Sequence, residues 1–308
     1  MHNDYPVWAD NLVKSFGKSR AVNGVSIAVP QGMIYGVLGP NGAGKTTSLR
    51  MLLGIIDPDT GERSLLGHKN PREVSHRVGY LPEERGLYPN MKATEAIAFL
   101  GAMRGLTWDE ARRRGAAMLE EANMAHAIPK KIKQLSKGMA QLVQLLGSIV
   151  HKPDLIVLDE PFSGLDPVNQ GHLEALIRAE QARGATILFS THVMGHAERL
   201  CDRLTIIAKG ERQFEGTVDE ARGTLAMEAR YIPSARPEAA ANLLPADARW
   251  DGKAWHFAVA DGAAEPLLTS LINAGHGIAG LSIQRASLHD AFVRIVGETT
   301  ETEEESAA

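Results

Sequence analysis

The chain has 308 residues, of which 44% are hydrophobic and 23% charged, with a formal net charge of -4. That composition suits one large globular domain plus a smaller one, and its balance gives no case for a nucleic-acid partner, whose phosphates demand a basic face. The single cysteine, Cys201, excludes an intrachain disulfide and fits a reducing compartment, and with no export signal expected in residues 1–6, no apolar run approaches the ~18–20 residues that span a bilayer.

Along the chain, Val22, Val25, Ile27 and Val29 lie among polar residues and glycines, and an apolar run follows at 33–38, so residues 5–38 read as strands. Residues 45–54 become helical and end near Gly54, with Asp57-Pro58 and Thr60-Gly61 as turn signals. A helical pattern covers 94–121: Ala96, Ile97, Leu100 and Met103 form an apolar face, and Arg112, Arg113, Arg114, Glu120 and Glu121 a charged one. Continuous apolar runs at 155–158, 185–190 and 204–208 suit strands buried on both faces of a parallel sheet, with helices crossing between them. The pattern changes near residue 220. Helix-like 237–244, strand-like 255–259, helix-like 265–274, strand-like 278–283 and helix-like 288–296 predict a small α+β domain over 221–297. The acidic tail 298–308 has no large apolar residue to anchor it and is expected to be disordered.

Gly39-Pro40-Asn41-Gly42-Ala43-Gly44-Lys45-Thr46 matches the phosphate-loop pattern G-x-x-x-x-G-K-[ST] in full. Glycines let successive backbone N–H groups turn into one concavity, and the helix that starts there adds its positive end. Lys45 can then reach terminal phosphates, and the Thr46 hydroxyl can ligate Mg²⁺. Such a loop needs a second element to hold the metal and position water. The run Leu155-Ile156-Val157-Leu158 ends in Asp159 and Glu160, adjacent carboxylates that point in different directions. Asp159 is expected to partner Mg²⁺ and Glu160 to act as general base.

These motifs, followed by Leu135-Ser136-Lys137-Gly138-Met139, Ser163-Gly164-Leu165-Asp166 and Thr191-His192, resemble the nucleotide-binding subunit of ATP-binding-cassette transporters. The resemblance covers roughly residues 7–216. Tyr80-Leu81-Pro82-Glu83-Glu84-Arg85-Gly86-Leu87-Tyr88 and the appended C-terminal domain resemble the bacterial sodium-extrusion and drug-efflux exporters. It implies an α/β cassette (residues 1–220) with a mainly parallel central sheet, an antiparallel β region and a helical subdomain at about 88–150. It also implies hydrolysis of ATP with Mg²⁺, and a homodimer or heterodimer of cassettes on transmembrane permease subunits at the cytoplasmic face of the membrane. By the same resemblance Phe16 stacks on adenine with Val22 nearby, and Thr47 adds to the loop 39–46. Ser136 and Gly138 meet the γ-phosphate held by the opposite subunit, Asp166 lies at the dimer interface, and His192 contacts the γ-phosphate.

Two positions depart from the family pattern. Glu83 replaces a common glutamine, which keeps an oxygen for Mg²⁺ but loses an amide donor. Met139 replaces a glutamine and cannot hydrogen-bond as it does. Two other readings compete: a soluble cassette in translation or DNA maintenance, and a regulatory protein that binds ATP without hydrolysing it. The single cassette without long insertions counts against the first, and Glu160 with His192 against the second.

Overall fold

A strand covered on both faces should be apolar throughout, and the main sheet is assembled from such strands. In the computed structural model, which describes residues 5–84, 86–234, 241–260 and 262–306, its order is β5 (Val78–Leu81), β6 (Leu155–Asp159), β7 (Thr186–Thr191), β3 (Ile34–Leu38), β8 (Arg203–Ala208) and β9 (Glu211–Gly216). Neighbours from β5 to β8 are parallel, and β9 returns antiparallel on β8. Parallel pairs need crossovers, and the helices α1 (Lys45–Leu52), α4 (Lys137–Ile149), α5 (Pro167–Ala182) and α6 (Met194–Leu200) lie on those connections. The registers bring Leu38 beside Thr191 and Asp159 beside Ser190. The ends of β3, β6 and β7 therefore share one edge of the sheet, where ligands of open α/β folds bind.

A second sheet, β2 (Ser19–Val29), β1 (Val7–Phe16) and β4 (Thr60–Leu65), is antiparallel. Its inward residues, among them Leu12, Val22 and Ile27, form one core with Tyr35 and Val37 of β3 and Leu49 of α1. On the other face of the main sheet, Ile97, Leu119 and Leu146 belong to a second core built with α2 (Ala93–Ala102), α3 (Trp108–Glu121) and α4. The single helical stretch expected over 94–121 is thus two helices, separated where Gly105 takes φ 97°. Met103, expected on the apolar face, lies just beyond α2 and is exposed.

The chain divides into two compact units, Met1–Thr217 and Val218–Ala308. The expected boundary at 220 falls inside α7 (Val218–Arg222), which packs against α9 (Leu288–Ser306) of the second unit. That unit carries an antiparallel sheet in the order β11 (Arg249–Trp250), β12 (Trp255–Val259), β10 (Met227–Pro233), β13 (Ile278–Gln284), with α8 (Ala264–Asn273). Its core includes Tyr231, Phe257, Val259 and Leu271. Arg85, and residues 237–240 of the helix expected at 237–244, lie outside the described residues; 241–243 form a single 3₁₀ turn.

Over the tail expected to be disordered, helix continues from α9 through Ser306, and 307–308 lie outside the described residues. Ser287 and Asp290 cap the start reciprocally, and Leu288 and Ala291 are fully buried. Elongating an anchored helix is far easier than nucleating one, and glutamate is a good helix former. No helix among the described residues is long and apolar enough to cross a membrane.

Candidate active site

The loop between β3 and α1 passes so close to its neighbours that two of its residues have no room for a side chain. A Cβ on Gly39 would sit 2.2 Å from the carbonyl oxygen of Ile207, and one on Gly44 would sit 2.4 Å from that of Ala21. Gly44 also takes φ 101°, a left-handed geometry that disfavours any Cβ. It is the N-cap of α1 and offers no side-chain acceptor to the first-turn amides. Those N–H groups can serve an anion. Lys45 is buried, and its ammonium donates to the carbonyls of Gly39 (2.8 Å) and Pro40 (3.2 Å).

The two carboxylates expected at the end of β6 are buried beside this loop. Asp159 Oδ1 accepts from the hydroxyls of Thr46 (3.0 Å) and Ser190 (2.6 Å). Ser190 Oγ in turn accepts from the backbone N–H of Glu160 (3.0 Å), so one serine holds both acidic residues. Sequence reasoning missed this serine; its signal was a polar residue ending an apolar strand. Glu160 takes φ 47°, which directs its side chain away from that of Asp159. Its Oε1 lies 3.3 Å from Lys45 Nζ and its Oε2 3.0 Å from His192 Nδ1. With Nδ1–H donated to Oε2, the outward edge of the His192 ring remains available.

Two oxygens stand out. Asp159 Oδ2 and Glu160 Oε1 are buried and accept no hydrogen bond. Buried carboxylate oxygens are normally satisfied, and one orphan beside a threonine hydroxyl and a phosphate loop suits a divalent cation. The second suits a water that is to lose a proton. The residues present therefore fit Mg²⁺ and a nucleotide triphosphate.

Phe16, Ala21, Asn41, Gly42, Ala43, Gly44, Thr46, Thr47 and Glu83 line one cleft with Lys45 and Glu160. Phe16 is 54% exposed, leaving an aromatic face on which a flat ring can stack. Val22 is fully buried under Gly44 and does not itself line the cleft, whereas its neighbour Ala21 does. Gly24, with φ 79°, forms a bulge that shifts the alternation set by Val25, Ile27 and Val29.

Ser136, Gly138 and Asp166 do not line this cleft. Ser136 caps α4 by accepting from the Met139 N–H. A Cβ on Gly138 would come within 2.8 Å of Asn169 Nδ2. Asp166 caps α5, and the Asn169 backbone N–H that it accepts holds its carboxyl below the usual range. These three residues form a separate group at the starts of two helices.

A family profile described as "ABC transporter" matches residues 22–163. YhaQ of Bacillus subtilis, an uncharacterised ABC transporter ATP-binding protein, is 36% identical over 94% of this chain and 97% of its own length. The Nod factor export ATP-binding protein I of Burkholderia orbicola is 42% identical over 68% of this chain and 70% of its own. Among solved structures, the ATP-binding subunit of an ABC transporter superposes with TM-score 0.65 at 30% identity, over 71% of this chain and 92% of that one. The phosphate loop, the acid pair beside it and this span of similarity lead to one conclusion: the chain belongs to the ABC transporter family, as an ATP-binding ATPase subunit.

Proposed function

We propose that the subunit hydrolyses ATP with Mg²⁺ at the cleft between the loop 39–46 and the pair Asp159-Glu160, with Glu160 as general base, and that it powers export through transmembrane permease subunits. The observation that carries this reading is the buried convergence of Lys45, Thr46, Asp159 and Glu160, with Asp159 Oδ2 lacking a hydrogen bond and Glu160 Oε1 held only by its ion pair with Lys45.

The backbone N–H groups of residues 42–46 and the Lys45 ammonium bind the phosphates, and Phe16 takes the adenine on its exposed face. Thr46 and Asp159 hold Mg²⁺ with Glu83 lining the same cleft, and the metal when bound offsets charge on the terminal phosphoryl group. His192 fixes Glu160 through Oε2, which leaves Oε1 to receive a proton from the attacking water. Preorganised donors of this kind commonly contribute ~10²–10³ in rate each.

Ser136, Gly138 and Asp166 serve the neighbouring site: two cassettes, identical or different, face each other head to tail, and each ATP lies between one phosphate loop and the other subunit's Ser136 loop. ATP then joins the subunits and hydrolysis separates them. Attachment to permease subunits places the chain peripherally at the cytoplasmic face of the membrane. The direction, export, rests on relatives such as the Nod factor export protein of Burkholderia orbicola.

The test is Glu160→Gln. Turnover is expected to vanish while ATP binding persists and an ATP-bound dimer accumulates on size exclusion. Unchanged turnover would overturn the assignment of the base.

A further inference from the structure

Phe162 and His196 stack face to face, with ring centroids 4.0 Å apart and planes 7° from parallel. The His196 side chain is only 5% exposed, and a buried imidazole needs partners. Its Nδ1 accepts from Arg199 Nη2 at 2.9 Å. The Glu174 carboxylate lies farther from Nδ1, at 3.4 Å, and is committed to Arg199 through Nη2 (2.6 Å) and Nε (3.1 Å). The shorter contact decides the tautomer: Nδ1 is the acceptor and the proton sits on Nε2. Burial pulls the pKa of the ring below its ordinary value, in keeping with a neutral imidazole. The charged groups that face it are Glu174 from α5, Arg199 from α6 and, more weakly, Glu160.

Chain connectivity gives this stack a consequence. Phe162 follows Glu160 by two residues and is also packed edge-on against Phe189 of β7, at 6.2 Å. His192 lies just before α6, and His196 lies in the first turn of that helix. The segment leaving Glu160 and the segment leaving His192 are therefore clamped together a few residues downstream. The Glu160–His192 hydrogen bond closes the same loop from the other side. Glu160 is held at φ 47°, a conformation that a non-glycine residue keeps only where its surroundings impose it.

We propose that His196 is a positioning residue for ATP hydrolysis: by stacking on Phe162 it sets the separation and orientation of Glu160 and His192. The inference rests on the reading of Glu160 as base. His196 itself touches no reacting atom, so its effect should appear in the chemical step and not in ATP affinity.

The experiment compares His196→Phe, His196→Leu and His196→Ala in the full chain, with steady-state ATPase measured against ATP concentration, and thermal melting as a fold control. Phe preserves the flat ring, whereas Leu fills the space without one. The Phe variant should keep most of kcat. Leu and Ala should lose roughly tenfold or more in kcat with KM little changed, as misplacement of a catalytic group predicts. A Leu variant equal to Phe, or a loss confined to KM, would overturn the proposal. If Ala fails to fold, the Leu–Phe comparison decides. If Leu also fails to fold while Phe matches the parent protein, His196 serves stability alone and the proposal falls. Glu160→Gln, run alongside, separates the two readings. If it leaves turnover intact, the base assignment fails and this inference with it. If it abolishes turnover while Leu is unaffected, only the role of His196 is lost.

Discussion

At the scale of the residue, the site depends on a few buried polar atoms whose partners come from two strands, β6 and β7, and from the start of α1. Ser190 is the clearest case. Its hydroxyl donates to Asp159 Oδ1 and accepts from the Glu160 N–H, and it is fully buried. Ser190→Ala would leave a buried amide and a carboxylate oxygen each short of one partner, at a cost of about 1–3 kcal/mol. Thermal melting should detect that loss. Turnover should fall further than ATP binding, since the nucleotide is held mainly by the loop 39–46 while Ser190 acts on the two acids. Equal losses in affinity and kcat would argue against this division of labour. The sequence marks Ser190 only as a polar residue closing an apolar run; its importance lies in its register opposite Asp159, and a pairing between residues thirty-one apart is a product of the sheet.

At the scale of the element, legibility followed the period of the hydrophobic pattern. The strands β3, β6, β7 and β8 could be read because burial on both faces makes them apolar throughout, or nearly so. In contrast, β10 was not read as a strand. Only Ala229 and Tyr231 are buried in it, Glu228 and Arg230 are exposed, and it ends in Pro233. That weak alternation falls below what a strand pattern needs, yet β10 pairs on both sides inside its sheet. The turn at 39–46 between β3 and α1 could be located from the sequence, because Gly39 and Gly44 answer a local steric demand. The separation of Ser136, Gly138 and Asp166 from that loop agrees with what the family resemblance implies, but no local pattern in the sequence carries it, because it depends on how α4 and α5 are placed by tertiary packing. The turn between α4 and β6 shows the same limit. His151 lies just beyond the Val150 C-cap of α4 with both ring nitrogens buried. Burial, then the positive charge of Arg104, pulls its pKa from 6.5 to about 4. Between those values the unfolded chain binds the proton and the folded chain does not, so stability is full above pH 6.5 and declines as the pH falls toward 4. His151→Leu removes this proton uptake. Urea midpoints taken at pH 7 and pH 4.5 should fall less in the variant than in the parent protein. Parallel declines would assign the acid sensitivity to other groups.

At the scale of the whole molecule, the division of the chain predicts which part can work alone. The unit Met1–Thr217 contains both large cores and every residue placed at the candidate site. The unit Val218–Ala308 has its own core around Tyr231, Phe257 and Leu271. A domain of the first unit's size buries most of its chain's apolar surface without help. Residues 1–217 expressed without the second unit should therefore melt in one cooperative transition and bind ATP as the full chain does, as read by nucleotide fluorescence titration. The cut falls before α7, which keeps that helix with the unit it packs against. A cut after residue 220, where the sequence pattern changes, would split α7 and leave a fragment of it on the cassette. If ATP affinity survives while turnover or dimer formation drops, the second unit contributes to the meeting of cassettes and not to the site itself. If affinity is lost, the cassette is not autonomous and the two units form one functional body. The phosphate loop, the acid pair and the clamp between Phe162 and His196 all lie before residue 217, so the physical expectation is the first of these.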